Sequence, residues 1–156
     1  MKRPTWTLLP VLLGAACHHQ SSPNNPDLDS VKGEWSLAFF KNQPDLIGNL
    51  SIKEDKTFTG KFTGKEPTKD RKTLKIVSHD FSGKCAQSHI TIDKQDVLMT
   101  DFQITTMDGK NAGTGAGFRL SYDAKNNLLV DILTLVFCRP GDEAKVKEMI
   151  ESKPKQ

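Results

Sequence analysis

The stretch TFTGKFTG, residues 57–64, alternates without a slip. Phe58, Gly60, Phe62 and Gly64 fall on one face, and Thr57, Thr59, Lys61 and Thr63 on the other. Period two is the mark of a half-buried strand. Seven further runs are strand-like in composition: EWSLAFFK (34–41), LIGNLSIK (46–53), TLKIVSHDF (73–81), CAQSHITI (85–92), VLMTDFQITT (97–106), GTGAGFRLSY (113–122) and LLVDILTLVF (128–137), the last the most apolar. Turn-forming residues separate them, among them Gln43-Pro44-Asp45, the charged EPTKDRK (66–72), Ser82-Gly83 and Asp108-Gly109, the last a hairpin signal in its own right. Eight strands joined by short loops leave no room for helical crossovers, so an antiparallel up-and-down sheet is expected rather than βαβ units. A sheet of this size removes its edges by closing on itself. The expected fold class is therefore all-β: a single antiparallel eight-stranded up-and-down barrel. Closure at eight leaves an interior filled by side chains or by one small ligand. After Pro140-Gly141, DEAKVKEMIESK (142–153) reads as a short C-terminal helix. Asp142 is placed to cap it, and Ala144, Val146, Met149 and Ile150 form its apolar stripe.

The N-terminus has a different texture. Lys2 and Arg3 precede a short apolar stretch, Trp6 to Leu13, broken by Pro10 and followed by Gly14-Ala15-Ala16-Cys17. This is a signal-peptide layout, too short to span a bilayer. The run of small residues into Cys17 resembles the lipobox of bacterial lipoproteins, with Gly14 where that family usually has Leu. The resemblance implies cleavage after Ala16, acylation of Cys17 and a palmitate-bearing anchor. Several acyl chains are what stable membrane attachment requires. Ordinary secretory cleavage near Ala16 is the alternative. In enterobacterial members of the lipoprotein family an aspartate after the cysteine signals inner-membrane retention, so the resemblance, with His18 at that place, implies the outer membrane. Residues 17–30 then form a lipidated tether. HHQSSPNNPDLDS (18–30) has no apolar period and reaches roughly 40 Å if extended. The domain proper is 31–153.

Charge excludes one class of partner. The 156 residues carry 22 basic and 19 acidic side chains, for a net charge of +3. Removing Lys2 and Arg3 leaves +1, so the mature body is no nucleic-acid binder. With Cys17 acylated, Cys85 and Cys138 remain. In an oxidising compartment they most simply pair as one disulfide. Such a link closes a loop of about 53 residues and contributes on the order of 4 kcal/mol. A metal site built from Cys85, His89, Cys138 and His79 is disfavoured, because strand residues four apart lie ~13 Å apart. His18-His19 lacks a third ligand. No cofactor or metal is expected. Catalysis finds no foothold either: G-x-S-x-G is absent, and His79 and Asp80 point to opposite faces of one strand.

Gly33-Glu34-Trp35 opens the first strand. A Gly-x-Trp there resembles the lipocalins and the wider calycin group. In those families the tryptophan plugs the closed end of the barrel and a late arginine packs over it. The resemblance implies a barrel-closing set of Gly33, Trp35 and Arg139, with Arg119 the other candidate arginine. FTGKF (58–62) is similar to the second-strand region of avidins. That family's tryptophan-rich biotin pocket has no counterpart here, Trp35 being the only tryptophan after residue 16.

The function expected from these features is that of a non-enzymatic binding module: a cell-envelope lipoprotein holding a small apolar or amphipathic ligand among Phe58, Phe62, Phe102, Phe118 and Leu120. The alternative is a periplasmic protein-interaction module. Small lipoprotein barrels with a Gly-x-Trp resemble the metalloprotease-inhibitor family, and an envelope assembly lipoprotein is of the same class. Expected partners are the membrane, through the lipid, and a small apolar ligand or another envelope protein.

Overall fold

The computed structural model describes residues 26–70, 72–131 and 135–152. The expected signal peptide, Cys17 and most of the tether lie outside the described residues. The strands are β1 (Gly33–Phe40), β2 (Ile47–Ile52), β3 (Thr57–Pro67), β4 (Leu74–Ile92), β5 (Gln95–Met107), β6 (Lys110–Asn111), β7 (Gly117–Asp123), β8 (Leu128–Val130) and β9 (Leu135–Cys138). Each pairs antiparallel with its neighbour in the order β1-β2-β3-β4-β5-β7-β8-β9, and β9 returns to β1. The result is the closed eight-stranded up-and-down barrel, with β6 an extra strand hanging on β5.

Two of the expected strands are one. Residues 73–81 and 85–92 belong to the 19-residue β4. Its first half pairs with β3 and its second with β5, so one strand crosses the whole wall obliquely, as barrel closure requires. Ser82-Gly83, expected as a turn, is a β-bulge: the register against β5 slips there, and a side chain at Gly83 would run into the Gln103 carbonyl. Conversely, the run 128–137 is two strands, β8 and β9, with residues 132–134 outside the described set. Asp108-Gly109 does make the tight turn into β6, both residues having positive φ (50° and 73°).

The expected tether also ends sooner than its composition implies. Residues 26–31 form a short helix, α1 (Pro26–Val31). Pro26 opens it, where a missing N–H costs nothing. Leu28 and Val31, three apart, point into the barrel end and are buried. At the other terminus α2 (Glu143–Glu151) lies on the outside of the wall. Val146, Met149 and Ile150 pack over Leu128 and Cys138, whereas Ala144, expected on that stripe, is exposed. Asp142 occupies the N-cap position but makes no side-chain cap; Glu143 instead accepts from the Gly141 N–H at 2.9 Å.

Aromatic rings sit over glycines on the inner face. Gly48 faces Phe62, and Gly60 faces Phe81, each as a direct cross-strand pair. A Cβ on Gly60 would lie 2.3 Å from the Phe81 ring. The alternation of Phe and Gly in TFTGKFTG therefore provides ring and niche on one face.

Candidate functional site

The α1 end of the barrel is plugged. Trp35 is fully buried, and its indole N–H donates to the Val31 carbonyl at 2.7 Å. The Arg139 guanidinium lies over the ring, 3.7 Å from its centre. It also donates to the Lys32, Ser30 and Glu34 carbonyls at 3.0, 3.3 and 3.3 Å. Gly33 makes this approach feasible. Its φ is +103°, and a Cβ there would meet the guanidinium at 3.1 Å. Gly33, Trp35 and Arg139 thus lock α1 onto the barrel. Arg119 is elsewhere, paired on the outer wall with Asp101.

The five residues expected to line a ligand cavity are all inside, but the rings pack on one another. Phe102 and Phe118 stack at 4.7 Å, and Phe58 meets Phe102 edge-on at 5.1 Å. Phe62 stacks on Phe81 at 5.1 Å and reaches Phe137 at 6.2 Å. Leu120 is fully buried beside them in the same cluster. Phe81 and Phe137 were not among the expected lining residues, and they complete the filling. Their signal was present, since both sit at the ends of apolar runs, but which face they take depends on the bulge and on the β8–β9 break. Two buried polar atoms share this interior, Gln87 Oε1 and Thr100 Oγ1, on a directly opposed pair of residues. Neither has a hydrogen-bond partner among the described residues.

The expected disulfide is not formed. Cys85 and Cys138 are both free and buried, in different clusters. Cys85 faces the barrel interior. Cys138 follows the inward Phe137, so alternation turns it outward, beneath α2. Opposite faces of the wall keep the thiols apart. Burial raises both thiol pKa values, that of Cys138 to about 11 with the nearby Glu143 and Asp142 adding to it.

The two histidines among the described residues are each held between two carboxylates. His79 Nδ1 is 2.7 Å from Asp108 and its Nε2 is 2.8 Å from Glu66. His89 Nδ1 is 2.7 Å from Asp96 and its Nε2 is 3.0 Å from Asp27. These bonds raise both imidazole pKa values, Asp108 acting most strongly on His79 and Asp27 on His89. The first clamp ties β3, β4 and the β5–β6 turn together; the second ties β4 and β5 to α1. Sequence adjacency had set His79 against Asp80; the fold supplies other carboxylates from 13 and 29 residues away. Among the described residues no group of three or more His, Cys, Asp or Glu side chains is arranged to hold a metal.

Beyond the barrel mouth, β3 and β4 continue as a hairpin arm. Pairing of β2 with β3 stops at Ile47↔Thr63, and that of β5 with β4 at Met107↔Phe81. Leu74 and Ile76 lie on its outer side, 65% and 75% exposed, and Ile47 of β2 stands at its root, 71% exposed. Leu74 borders a depression of about 190 Å³ shared with Pro44, Asp45, Leu46 and Lys65; a separate shallow depression of about 370 Å³, further along the wall, is lined by Asn49, Thr59, Lys61, Asp80, Ser82 and Thr106. Lys61 and Asp80 pair across it at 3.7 Å. Comparison with protein-family models, curated proteins and solved structures found no match to this chain.

Proposed function

We propose that the protein is an exported, lipid-anchored envelope protein that works through its outer surface, as a non-enzymatic protein-interaction module. The observation that carries this reading is the filled interior. Six phenylalanines occupy the space a ligand would need, and they contact one another. Large apolar side chains stand instead on the outside of the arm, where solvent exposure is costly unless a partner covers them. Catalysis draws no support from His79 and His89, whose ring nitrogens are all engaged by carboxylates. Export and anchoring rest on the residues before and at Cys17, and the envelope location follows from them.

Two measurements test the reading. Native mass spectrometry of the protein with added fatty acid should show no bound lipid, and Trp35 emission should not shift. Stoichiometric uptake would move the function to the ligand-carrying alternative. Photo-crosslinking in the native cell from position 76 should give a discrete protein adduct, and crosslinking from position 147 on α2 should not. An adduct pattern the same from both positions would refute a dedicated surface.

A further inference from the structure

We propose that residues 74–79 of β4 are an open strand edge that takes up one extended segment of a partner protein, apolar and acidic at alternate positions. This rests on the protein-interaction reading above and names the partner's chemistry.

Backbone direction makes the case. The Asp108 N–H donates to the Asp80 carbonyl at 2.8 Å, and the Asp80 N–H donates to the Asp108 carboxylate at 2.9 Å. Both backbone groups of Asp80 therefore point away from β3. Alternation along the strand sends those of Ser78, Ile76 and Leu74 the same way. The hairpin end agrees: Thr73, not Leu74, accepts from Thr68 across the arm at 2.9 Å. Among the described residues no strand pairs with 74–79 on this side, because β5 has already turned at Asp108. The other strand of the arm is protected. Leu46 and Gln43 pack beside Gly64, Asp45 holds Lys65 at 3.0 Å, and Pro67 has no N–H to offer. At the far end of β4, α1 is tied to His89 through Asp27. The edge at 74–79 thus combines unpaired backbone groups with exposed apolar side chains, the features used in strand addition.

The two faces of that edge differ, which sets the partner's pattern. Leu74 and Ile76 lie on the outer face, while Lys75 lies on the inner one, opposite Glu66. An added strand would place alternate side chains beside Leu74 and Ile76, and the intervening ones beside Lys75. Charge selects the latter. Residues 61–75 contain six basic and two acidic side chains. Lys69, Lys72 and Lys75 have no ion pair among the described residues. The same charge opposes a second copy of this arm as the occupant.

The probe is a blocked-end peptide alternating valine and aspartate, added to the full chain. It should slow amide exchange at Leu74, Ile76 and Ser78, weaken as salt is added, and bind better than the valine–lysine peptide. Ile76→Pro removes one free N–H and no bond to β3, so the barrel should keep its unfolding midpoint while binding weakens at least about tenfold. Lys75→Glu keeps the edge and reverses the charge; it should shift preference toward the valine–lysine peptide. Equal binding by I76P, or protection mapping to another strand, would overturn the edge even if the crosslink from position 76 persists. Protection of 74–78 without peptide, rising with protein concentration, would assign the edge to a second copy. Protection by phosphatidylglycerol vesicles but not by the peptide would assign it to a membrane.

Discussion

The Arg139 guanidinium lies flat against Trp35, 3.7 Å from the ring centre, while its nitrogens hold the carbonyls at the end of α1 and the start of β1. One side chain thus joins the last strand, the first strand and the plug helix. Cation–π attraction of this kind is worth about 1–2 kcal/mol, and each hydrogen bond about 1 kcal/mol net. Arg139→Met should cost about 4 kcal/mol in urea unfolding followed by tryptophan emission. Arg139→Lys should recover less than half of that, because an ammonium lacks the planar fork. A full recovery by lysine would mean that charge alone holds the plug.

Gly60 and Phe81 make a second pairing that the barrel cannot relax. The added methyl of Gly60→Ala would sit 2.3 Å from the Phe81 ring and 2.9 Å from the Asn49 carbonyl. Phe81 is itself wedged against Phe62 and Phe118. Overpacking of this kind costs about 1–3 kcal/mol. In the double variant Gly60→Ala/Phe81→Leu, part of that loss should return, and additive losses would show that the clash is with backbone alone.

Those glycines were legible as strand residues, because a period of two is written locally. The total of eight wall strands was also legible, but by two opposite errors. Ser82-Gly83 has the composition of a turn, and only the long-range register against β5 makes it a bulge. LLVDILTLVF has Asp131 as its one turn-forming residue amid an apolar run, yet it is divided there between β8 and β9. Pro26-Asp27-Leu28 reads as tether because two apolar residues are too few for a pattern; burial against Trp35 and its neighbours makes it helix. The free edge of β4 was hidden for a related reason. Which strands outrun their neighbours depends on pairing offsets, and no local signal encodes them.

The cysteines give a direct chemical test of face assignment. Cys85 and Cys138 lie on opposite sides of the wall as free thiols. Reductant should leave the thermal midpoint unchanged. Both residues should resist alkylation in the folded protein, given their raised pKa values, and both should react in urea without reductant. An unreactive pair in urea would restore the disulfide and require a different course for β9.

The two histidine clamps make the barrel ends pH-sensitive, and the sign follows from the direction of the shifts. The folded protein raises the His79 pKa above its unfolded value of about 6.5, through Asp108 first and Glu66 second. The stabilisation is therefore fully present below about pH 6.5 and is lost as pH rises through the folded pKa. Asp108 is shifted down by His79 and by the Asp80 N–H, so its contribution is present above about pH 4 and is lost as pH falls through its folded pKa. Between those limits the mouth is held most firmly. His89, raised by Asp27 and then Asp96, imposes the same upper limit on the attachment of α1. Histidine NMR titration should place both imidazoles above the ordinary value. Glu66→Gln should lower the His79 titration and leave that of His89 in place. Amide exchange at residues 62–66 and 77–80, corrected for its intrinsic pH dependence, should accelerate as His79 deprotonates. If His79 titrates at or below the unfolded value, the clamp does not hold the arm in solution, and the open edge at 74–79 loses its fixed orientation to the barrel.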